Sequence, residues 1–485
     1  MSRSNAIPEL VKIGSIPTNM TQEIETAIQE PVVADENTIR FSIHKRGFIH
    51  SNSKLILSLD SSGEASTWFL PVNIGIGSLI KNVAFRIGDT TIQEVQDWAE
   101  LHAYRSLFIA GESNKEKEQY TSQRLSNFDV QYNRYKPVNA IALPEGEGEE
   151  LDTGKAPTYA FVGASDPTRD NTDQVNKTMH TFQFLDNEPT YQISLQDLVP
   201  FFKQNQLPAW IINPDIYLDI TLQDGLNRCC CTTGAASDQY VHTINETQTK
   251  LIIDHIFYPG DVMEAWRNAN KKVQFTYFDY RLSKMSLTEA QCEQQIVRNI
   301  GGAGRIVTKV ICALMNEKNA TLAEGGANAK SLLNKFNAQC SQRLFAANNE
   351  TEAQGKTTSN LKFNDHFLYP VDRDNTAVHF YDVTQSEGIV PFVTRDLYSG
   401  ETNTTGQSLF MSHEYRLGLK GRFFWQSWRL NRSERISSRG IELYQLYNDV
   451  PALPTPATDT YTLRCWLEVL KYATLEDGKM ECYFA

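Results

Sequence analysis

Apolar and polar residues alternate along this chain in short runs, and this pattern limits its fold more than any other feature. The apolar positions of these runs share a two-residue period, and the runs cover residues 39–43, 55–59, 83–87, 216–222 and 461–469. Successive side chains of a β-strand point to opposite faces, so this period predicts strands with one buried face. Antiparallel sheets that pack face to face bury such strands. The predicted fold class is therefore all-β.

Helical spacing is limited to three segments. Residues 91–110 place apolar residues, among them Val95 and Trp98, at spacings of three and four. Residues 261–271 follow a Pro-Gly turn signal, and residues 194–203 are a shorter candidate. The sequence shows no regular alternation of strands and helices, which would be typical of a parallel sheet. We predict short helices placed in the connections of a β-scaffold.

Three long polar stretches interrupt the alternating pattern, at residues 111–177, 316–364 and 396–407. Loops of this length are uncommon in compact domains unless they are functional, so we expect projecting insertions with contacts of their own. An acidic run between Glu145 and Asp152 lies in the first stretch. We interpret this run as a solvated loop tip.

The chain of 485 residues is long enough for two separate cores, and we expect two. Alternation stops in residues 226–249, where Cys, Gly, Ser and Thr take over, and we place the boundary near Ser237. The predicted division is an N-terminal arm at residues 1–35, a first β-domain at 36–237 and a second at 238–485. Each half then contains early strands, a helix, a long loop and closing strands, which suggests a structural duplication.

The balance of charge argues against a protein whose main surface coats nucleic acid. The chain has 46 basic and 58 acidic residues, whereas such a surface needs Lys and Arg to neutralise phosphates. The first residues contain Arg3 and Lys12 but no continuous apolar run, so we expect no signal peptide. No stretch approaches the roughly 20 apolar residues of a membrane-spanning helix. We expect synthesis in the cytoplasm and no transmembrane segment.

The sequence lacks the motifs of several enzyme classes. Residues 301–305 have neither the spacing nor the lysine of a phosphate-binding loop, and Leu417 stands where a zinc protease motif beginning at His413 needs its second histidine. The histidines include no His-x-His pair of the kind found in cupins, and no Gly-x-Ser-x-Gly elbow is present. Paired carboxylates for glycoside hydrolysis stay open, because their separation depends on the fold. We predict no enzyme, no cofactor, and no catalytic or metal-binding residues.

The eight cysteines include no pair at the two-residue spacing of a zinc ribbon, and we interpret them as reduced thiols. Cys229, Cys230 and Cys231 are adjacent, so their side chains should point in divergent directions. We predict an incidental loop cluster there, with a metal or redox site as the alternative.

A basic segment spans residues 415–440. It contains seven Lys and Arg residues against Glu434 alone, interleaved with two phenylalanines and two tryptophans, Trp425 and Trp428. Three interpretations stay open for this segment. It is a solvated face, a subunit interface with aromatic and arginine anchors, or a site for single-stranded nucleic acid.

Three parts of the chain resemble those of double jelly-roll major capsid proteins, the lineage of large eukaryotic DNA viruses, virophages and polinton-like viruses. Residues 194–202, followed by Leu207-Pro208-Ala209-Trp210 and the strand at 215–223, are similar to the close of the first jelly roll in that family. Residues 85–89, which lead into the Trp98 helix, resemble its early strand-turn-helix. Residues 466–485, with a polar turn at Asp477-Gly478, resemble its final strand pair.

This resemblance implies two tandem eight-stranded jelly rolls, each a β-sandwich, with short helices and long loop insertions. It implies a structural major capsid protein whose homotrimers are pseudo-hexagonal capsomers that tile an icosahedral virion. The implied partners are further copies of the chain, neighbouring capsomers, penton proteins and minor or cement proteins, while contact with an internal membrane stays open. It implies no specific nucleic acid, and it places residues 1–35 as an arm beneath the capsomer. The alternative is a carbohydrate-binding or carbohydrate-active β-sandwich protein.

Overall fold

The computed structural model of the chain describes residues 23–61, 75–106, 108, 190–223, 242–288, 291, 294–316, 358–373, 376–388, 425–430, 434–446 and 460–485. Within these residues strands dominate, and they form four sheets whose strand pairs are antiparallel. The predicted all-β fold class is confirmed. The predicted insertions at 111–177 and 396–407, and most of the one at 316–364, lie outside the described residues.

Two sheets form the first half of the molecule. Sheet I contains β1 (Glu23–Gln29), β4 (Phe48–Ile49), β5 (Lys54–Ser61), β8 (Thr190–Ser194), β9 (Leu207–Pro208), β11 (His242–Ile244) and β12 (Lys250–Phe257). Sheet II contains β2 (Val33–Ala34), β3 (Thr38–Ile43), β6 (Ile80–Ile87), β7 (Thr90–Gln96) and β10 (Ile216–Leu222). The order in sheet II is β2-β3-β10-β6-β7, so β7 lies at an edge.

Two further sheets form the second half. Sheet III contains β13 (Lys272–Thr288), β15 (Val307–Asn316), β18 (Trp425–Arg429), β20 (Thr460–Glu476) and β21 (Lys479–Phe484). Sheet IV contains β14 (Ile296–Gly301), β16 (Thr358–Phe363), β17 (His366–Phe367) and β19 (Ile441–Leu446). The order in sheet III is β13-β20-β15-β18, with β21 beside β20. The long pair β13–β20 is in register over the whole length of both strands.

Helices are short and lie between strands, as predicted. The described α-helices are α1 (Trp98–Ser106), α2 (Leu195–Leu198), α3 (Gly260–Ala269) and α4 (Thr376–Glu387), and the 3₁₀ helices are Gly75–Leu79, Pro200–Lys203 and Ala209–Ile211. The candidates at 194–203 and 261–271 are confirmed by α2 with its following 3₁₀ turn and by α3. None of the helices in this part of the chain is long and apolar enough to cross a membrane.

The predicted helix over residues 91–110 is wrong at its start. Residues Thr90–Gln96 form β7, which pairs with β6 through a two-residue turn at Gly88-Asp89. Gly88 has φ +57°, and a Cβ there would lie 2.9 Å from the Cβ of Pro214. Ile92 and Val95 are spaced by three residues, which fits a helix, yet β-branched residues pack well on a sheet and the tight turn fixes the pairing. The helix begins only at Trp98.

The core follows the alternation of the sequence. In β10, Ile216, Leu218 and Ile220 are fully buried, and the residues between them are partly exposed. Each such side chain contributes about 1.5–3 kcal/mol when it leaves water. The repeated strands of both halves therefore supply most of the energy that holds the sheets together.

Strand pairing crosses the predicted domain boundary near Ser237. β11 and β12 lie after that residue, yet they pair with β5, β4 and β1 of sheet I. The change of partners comes later, at α3, after which β13 joins sheet III. A polar break in a sequence marks a connection between strands, whether or not both strands belong to one domain. The limits at 36–237 and 238–485 stay a prediction, and the pairing favours an end of the first unit after Phe257.

The predicted N-terminal arm also contains strands. β1 and β2 lie within residues 1–35 and pair with β12 and β3. Residues 1–22 lie outside the described part of the chain. An arm ahead of the first strand is therefore limited to residues before Glu23.

Candidate functional site

The described residues hold no group of three or more His, Cys, Asp or Glu side chains that could bind a metal. Their most unusual chemistry lies where the two halves meet. There β7 and α1 of the first half lie against β13, β18, β20 and β21 of the second half, and we call this region the inter-half contact. Its polar groups are buried, so each must find a partner across the contact.

Backbone carbonyls of the edge strand β7 accept hydrogen bonds from the second half. The hydroxyl of Tyr277 and the ammonium of Lys471 both donate to the carbonyl of Ile92, at 2.6 and 2.7 Å. The indole of Trp466 donates to the carbonyl of Gln96 at 3.2 Å. An uncovered sheet edge is a template for unwanted pairing, and the second half blocks this one with side chains.

Gln93 connects three segments through its side-chain amide. Its Nε2 donates to the carbonyl of Phe278 at 2.7 Å, and its Oε1 accepts from the backbone N–H of Phe201 at 2.8 Å. The ring of Phe201 also packs edge-on against Tyr277, with ring centroids 5.1 Å apart. This one buried amide therefore fixes β7, β13 and the 3₁₀ helix at Pro200–Lys203 relative to one another.

Asp97 is the main charge of the inter-half contact. It accepts from Lys284 at 2.6 Å and from Nε of Arg464 at 2.8 Å, and both Asp97 and Arg464 are almost fully buried. A second carboxylate, Glu100, lies 3.9 Å from Arg464. Asp97 has φ +48°, a left-handed conformation that aspartate tolerates better than most residues. The turn between β7 and α1 thus aims a carboxylate at two cations of the other half.

A second charged group lies farther along α1. The hydroxyl of Tyr104 donates to Oε1 of Glu387 at 2.6 Å, and Lys309 donates to the same oxygen at 2.7 Å. Tyr280 donates to Glu468, which lies 3.7 Å from Lys309. Burial, followed by the charge of Glu387, raises the pKa of Tyr104 well above its usual range. The phenol therefore stays a hydrogen-bond donor at every physiological pH.

Two opposing effects act on the pKa of Asp279. It is almost fully buried, and burial raises the pKa of its carboxyl. Lys471 at 3.7 Å and Arg281 at 3.3 Å act in the other direction, because they favour the charged form. The group belongs to the same end of the contact as Ile92, which Lys471 also binds. Lys471 therefore connects the carboxyl of Asp279 to the β7 edge of the first half.

The last turn of the chain completes the contact. Asp477 and Gly478 both have positive φ and connect β20 to β21, which matches the predicted polar turn. The backbone N–H of Asn213 donates to the carbonyl of Gly478 at 2.9 Å, and its side chain donates to that of Asp477 at 3.1 Å. A Cβ at position 478 would lie 2.4 Å from Nδ2 of Asn213. Glycine is required there by both the turn and the contact.

The sequence contained a signal for this contact that the two-residue period concealed. In β20, Leu463, Cys465 and Leu467 are the predicted buried face, and they are buried. The opposite face carries Arg464, Trp466 and Glu468, and the first half buries that face as well. A tryptophan among charged residues on the expected solvent face was the available clue.

The described residues of the basic segment 415–440 fall into two groups, buried aromatic residues and arginines at the surface. Trp425 and Trp428 are fully buried, and the ring of Trp425 lies 5.2 Å from that of Tyr104. Arg429 is exposed, and Arg439 pairs with Asp365. The described aromatic residues are core residues, so they are not available to stack on bases. Arg435 is exposed as well, and the other basic and aromatic residues of the segment lie outside the described part.

The described cysteines are free thiols. Cys312 and Cys465 are buried on neighbouring strands with their sulfurs 3.7 Å apart, and Cys482 lies beside Tyr277. Reduced thiols were predicted, and these three agree with that prediction. The adjacent Cys229, Cys230 and Cys231 lie outside the described residues.

Solved structures with the same fold exist, although no protein-family model and no curated protein matches the sequence. The chain is similar to the structure described as the PBCV-1 virus capsid, with a TM-score of 0.55 at 12% identity over 97% of this chain and 98% of that chain. PBCV-1 VP54, fitted into a reconstruction of the virophage Sputnik, gives 0.53 at 11% identity over 97% and 98%.

A structure of the Sputnik virophage gives a TM-score of 0.51 at 10% identity and covers 100% of this chain and 92% of that one. These likenesses extend over nearly the whole chain. The fold is thus a double jelly roll, and the predicted fold class is confirmed.

Proposed function

We propose that this chain is a major capsid protein, a structural component of an icosahedral double-stranded DNA virus, and that it has no enzymatic role. The observation that carries the proposal is the double jelly roll in one chain, with its two halves fixed by a buried contact. The matching structures are described as those of a virus capsid and a virophage. We extend that role to this chain on the basis of fold and of the absence of catalytic motifs in its sequence.

The inter-half contact supplies a physical reason for this role. The ion pairs of Asp97, the hydrogen bond from Tyr104 to Glu387 and the hydrogen bonds of β7 hold two sandwiches side by side as one block. Three such blocks give six lobes of similar shape, which can tile a hexagonal lattice. A two-layer sandwich resists bending while its end loops vary, so shell stiffness and surface variation are separated.

Measuring the mass of the purified full chain tests the proposal. Three chains of 55.0 kDa form a particle of about 165 kDa, which light scattering after size exclusion distinguishes from a monomer. Electron microscopy of the same material should show particles with a hexagonal outline. A monomer at micromolar concentration, with no hexagonal particles, would overturn the proposal.

The alternative, a carbohydrate-binding β-sandwich, needs exposed aromatic platforms. In the described residues Trp98, Trp425, Trp428 and Trp466 are fully buried, and Trp266 nearly so. Trp210 is half-buried and Tyr381 is exposed, so this part of the chain offers single aromatic rings but no group of exposed tryptophans. Binding of oligosaccharides measured by calorimetry would favour the alternative.

The finer partners follow from the proposed role. We expect neighbouring capsomers, penton proteins and minor or cement proteins to contact the chain, and we place it in the virion after synthesis in the host cytoplasm. Residues 1–22 are the proposed arm beneath the capsomer. Cross-linking mass spectrometry of assembled particles would identify these contacts.

A further inference from the structure

Two buried thiols lie side by side in the core of the second half. Cys312 of β15 and Cys465 of β20 are 0% and 2% exposed, and their sulfurs lie 3.7 Å apart. They are direct partners in the register of the two strands, so both side chains lie on the same face of sheet III. This face also carries the buried Leu463 and Leu467. The two strands therefore hold the thiols together in the folded chain.

The positions of the two cysteines suit a disulfide bond. Directly opposed residues of antiparallel strands have Cα atoms about 4.5–5.5 Å apart. Disulfides occur at Cα separations of about 4.4–6.8 Å, with a bond of about 2.05 Å between the sulfurs. Rotation of the side chains can therefore close the gap of 3.7 Å between the sulfurs of Cys312 and Cys465 while the strands keep their pairing.

A polar residue beside Cys312 gives a small oxidant a place to bind. Gln426 of β18 is the partner of Cys312 on the other side of β15, and it is 1% exposed. Neither the nitrogen nor the oxygen of its amide has a hydrogen-bond partner in the described part of the chain. An unpaired buried amide is costly, and a molecule of the size of water or hydrogen peroxide would satisfy it. The surroundings of the two thiols therefore include a polar group that favours such a molecule.

We propose that Cys312 and Cys465 are a modification site, which a peroxide converts to a disulfide after the protein has left the reducing cytoplasm. The thiolate of one cysteine attacks hydrogen peroxide and breaks its O–O bond, which gives a sulfenic acid and a hydroxide that takes up the thiol proton as water. The second thiol then attacks the sulfur of the sulfenic acid and displaces a second water. The two thiols lose two electrons in total, and one peroxide becomes two waters.

The time of this oxidation rests on the proposed function, because a virion carries its coat out of the cell. Disulfides persist outside the cell, whereas glutathione and thioredoxin keep thiols reduced in the cytosol. The same pair would thus be two thiols during synthesis and one disulfide in the released particle.

The third described cysteine has no thiol as a partner. Cys482 is partly buried, and its sulfur lies 3.6 Å from the hydroxyl of Tyr277. Neither of the other two described thiols contacts it, so a sulfenic acid on Cys482 cannot close a bond within this part of the chain. Cys482 is therefore the matched control for the pair.

The disulfide would close a ring that contains much of the second half. Cys312 and Cys465 are 153 positions apart, and the residues between them include α4 and the strands β16, β17, β18 and β19. A link across so long a segment removes much of the freedom of the unfolded chain. We expect oxidation to raise the thermal midpoint of unfolding by about 5 °C or more, and a reductant to reverse this rise.

Peptide mapping of the full chain tests the site. The folded protein is treated with hydrogen peroxide, its remaining thiols are alkylated in denaturant, and it is digested with trypsin without reduction. Trypsin cuts after Lys and Arg, so Cys312 and Cys465 are recovered in the peptides 310–318 and 465–471. We expect mass spectrometry to find these two peptides as one linked species that separates after reduction.

Two variants accompany the wild type. Cys482→Ser should give the same linked species and the same rise in thermal midpoint, whereas Cys465→Ala should give neither. If Cys465→Ala does not fold, peptide mapping of wild type decides alone. Recovery of Cys312 and Cys465 from oxidised, folded wild type as alkylated thiols, or in links to other cysteines, would overturn the proposed site.

The outcomes separate this site from the proposed function. A linked species in a chain that is monomeric by light scattering would support the disulfide and refute the capsid role. A trimer without the linked species would refute the disulfide and leave the capsid role standing.

Discussion

Sheets II and III each have an outer face, which is the face opposite the buried apolar residues of their strands. The two outer faces lie in equivalent places in the fold, but their charged side chains are paired differently. On sheet III, Arg464 is buried by the first half and depends on Asp97, a partner from outside its sheet. On sheet II, Asp219 is satisfied by Arg40 and Arg86 of its own sheet. A charge on the covered face thus needs a partner from the covering half, whereas the charges on the open face pair within their own sheet. This difference can be tested by removing one charge at a time.

The largest loss should come from Asp97→Ala. Removing this carboxylate leaves Arg464 buried without its closest partner, and breaking a buried pair on one side costs about 3–5 kcal/mol. The matched change on sheet II, Asp219→Ala, leaves two partly exposed arginines that water can solvate, so we expect about 1 kcal/mol. Urea unfolding at a fixed protein concentration measures both. Equal losses at the two positions would remove the distinction between the faces.

Tyr104→Phe should have an intermediate effect. Its hydroxyl donates to the carboxylate of Glu387 in a buried site, and such a hydrogen bond contributes about 1.5–3 kcal/mol. The control is Tyr217→Phe on sheet II, whose hydroxyl lies 3.4 Å from Asp215 at the surface. We expect a change of less than about 0.5 kcal/mol for the control. A control variant that loses as much as Tyr104→Phe would contradict this assignment.

Asp279→Asn should change the pH dependence of stability. Burial raises the pKa of Asp279 in the folded state, so the folded protein binds this proton more tightly than the unfolded chain does. Wild type therefore loses stability as pH rises from about 4 through the raised pKa, and the variant lacks this loss. The stability of the variant minus that of wild type should increase with pH over this range. Urea midpoints measured from pH 4 to 8 test it, and a difference that is constant or falls would show that the sign is wrong.

The smallest loss among the charge removals should come from Arg40→Ala. Arg40 is 39% exposed, and its partner Asp219 keeps a second guanidinium at 2.6 Å. Exposed ion pairs contribute about 0–1 kcal/mol, and salt screens them. We expect a loss below about 1 kcal/mol that shrinks further in 0.5 M salt, measured by the same urea titration. A loss as large as that of Asp97→Ala would show that the ion pairs of sheet II contribute as much to stability as those of sheet III.

Much of the fold could be predicted because one face of most strands is buried. Ile39, Phe41 and Ile43 show the rule, since each is buried and alternates with partly exposed residues. The rule fails at Thr90–Gln96, where Ile92 and Val95 fit a helix as well as a strand. A period of two or of three and a half cannot be told apart over so few residues.

The inter-half contact was harder to predict, for a different reason. Gln93, Asp97 and Arg464 are polar, and a polar residue in a strand is expected to face water. Only the fold brings their partners within reach, because Asp97 and Arg464 lie 367 residues apart. Local sequence carries no information on such a pairing.

The register of β13 with β20 has a consequence for synthesis. β13 ends at Thr288, and its partner strand begins at Thr460, so the ribosome makes all the intervening residues before β13 acquires a neighbour. Domains generally fold as units during synthesis, and loops of such length close slowly. The first half can therefore fold while the second is still unpaired, with the β7 edge open until β20 arrives. Chains halted before residue 460 should therefore be more prone to aggregate through that edge than the full chain is.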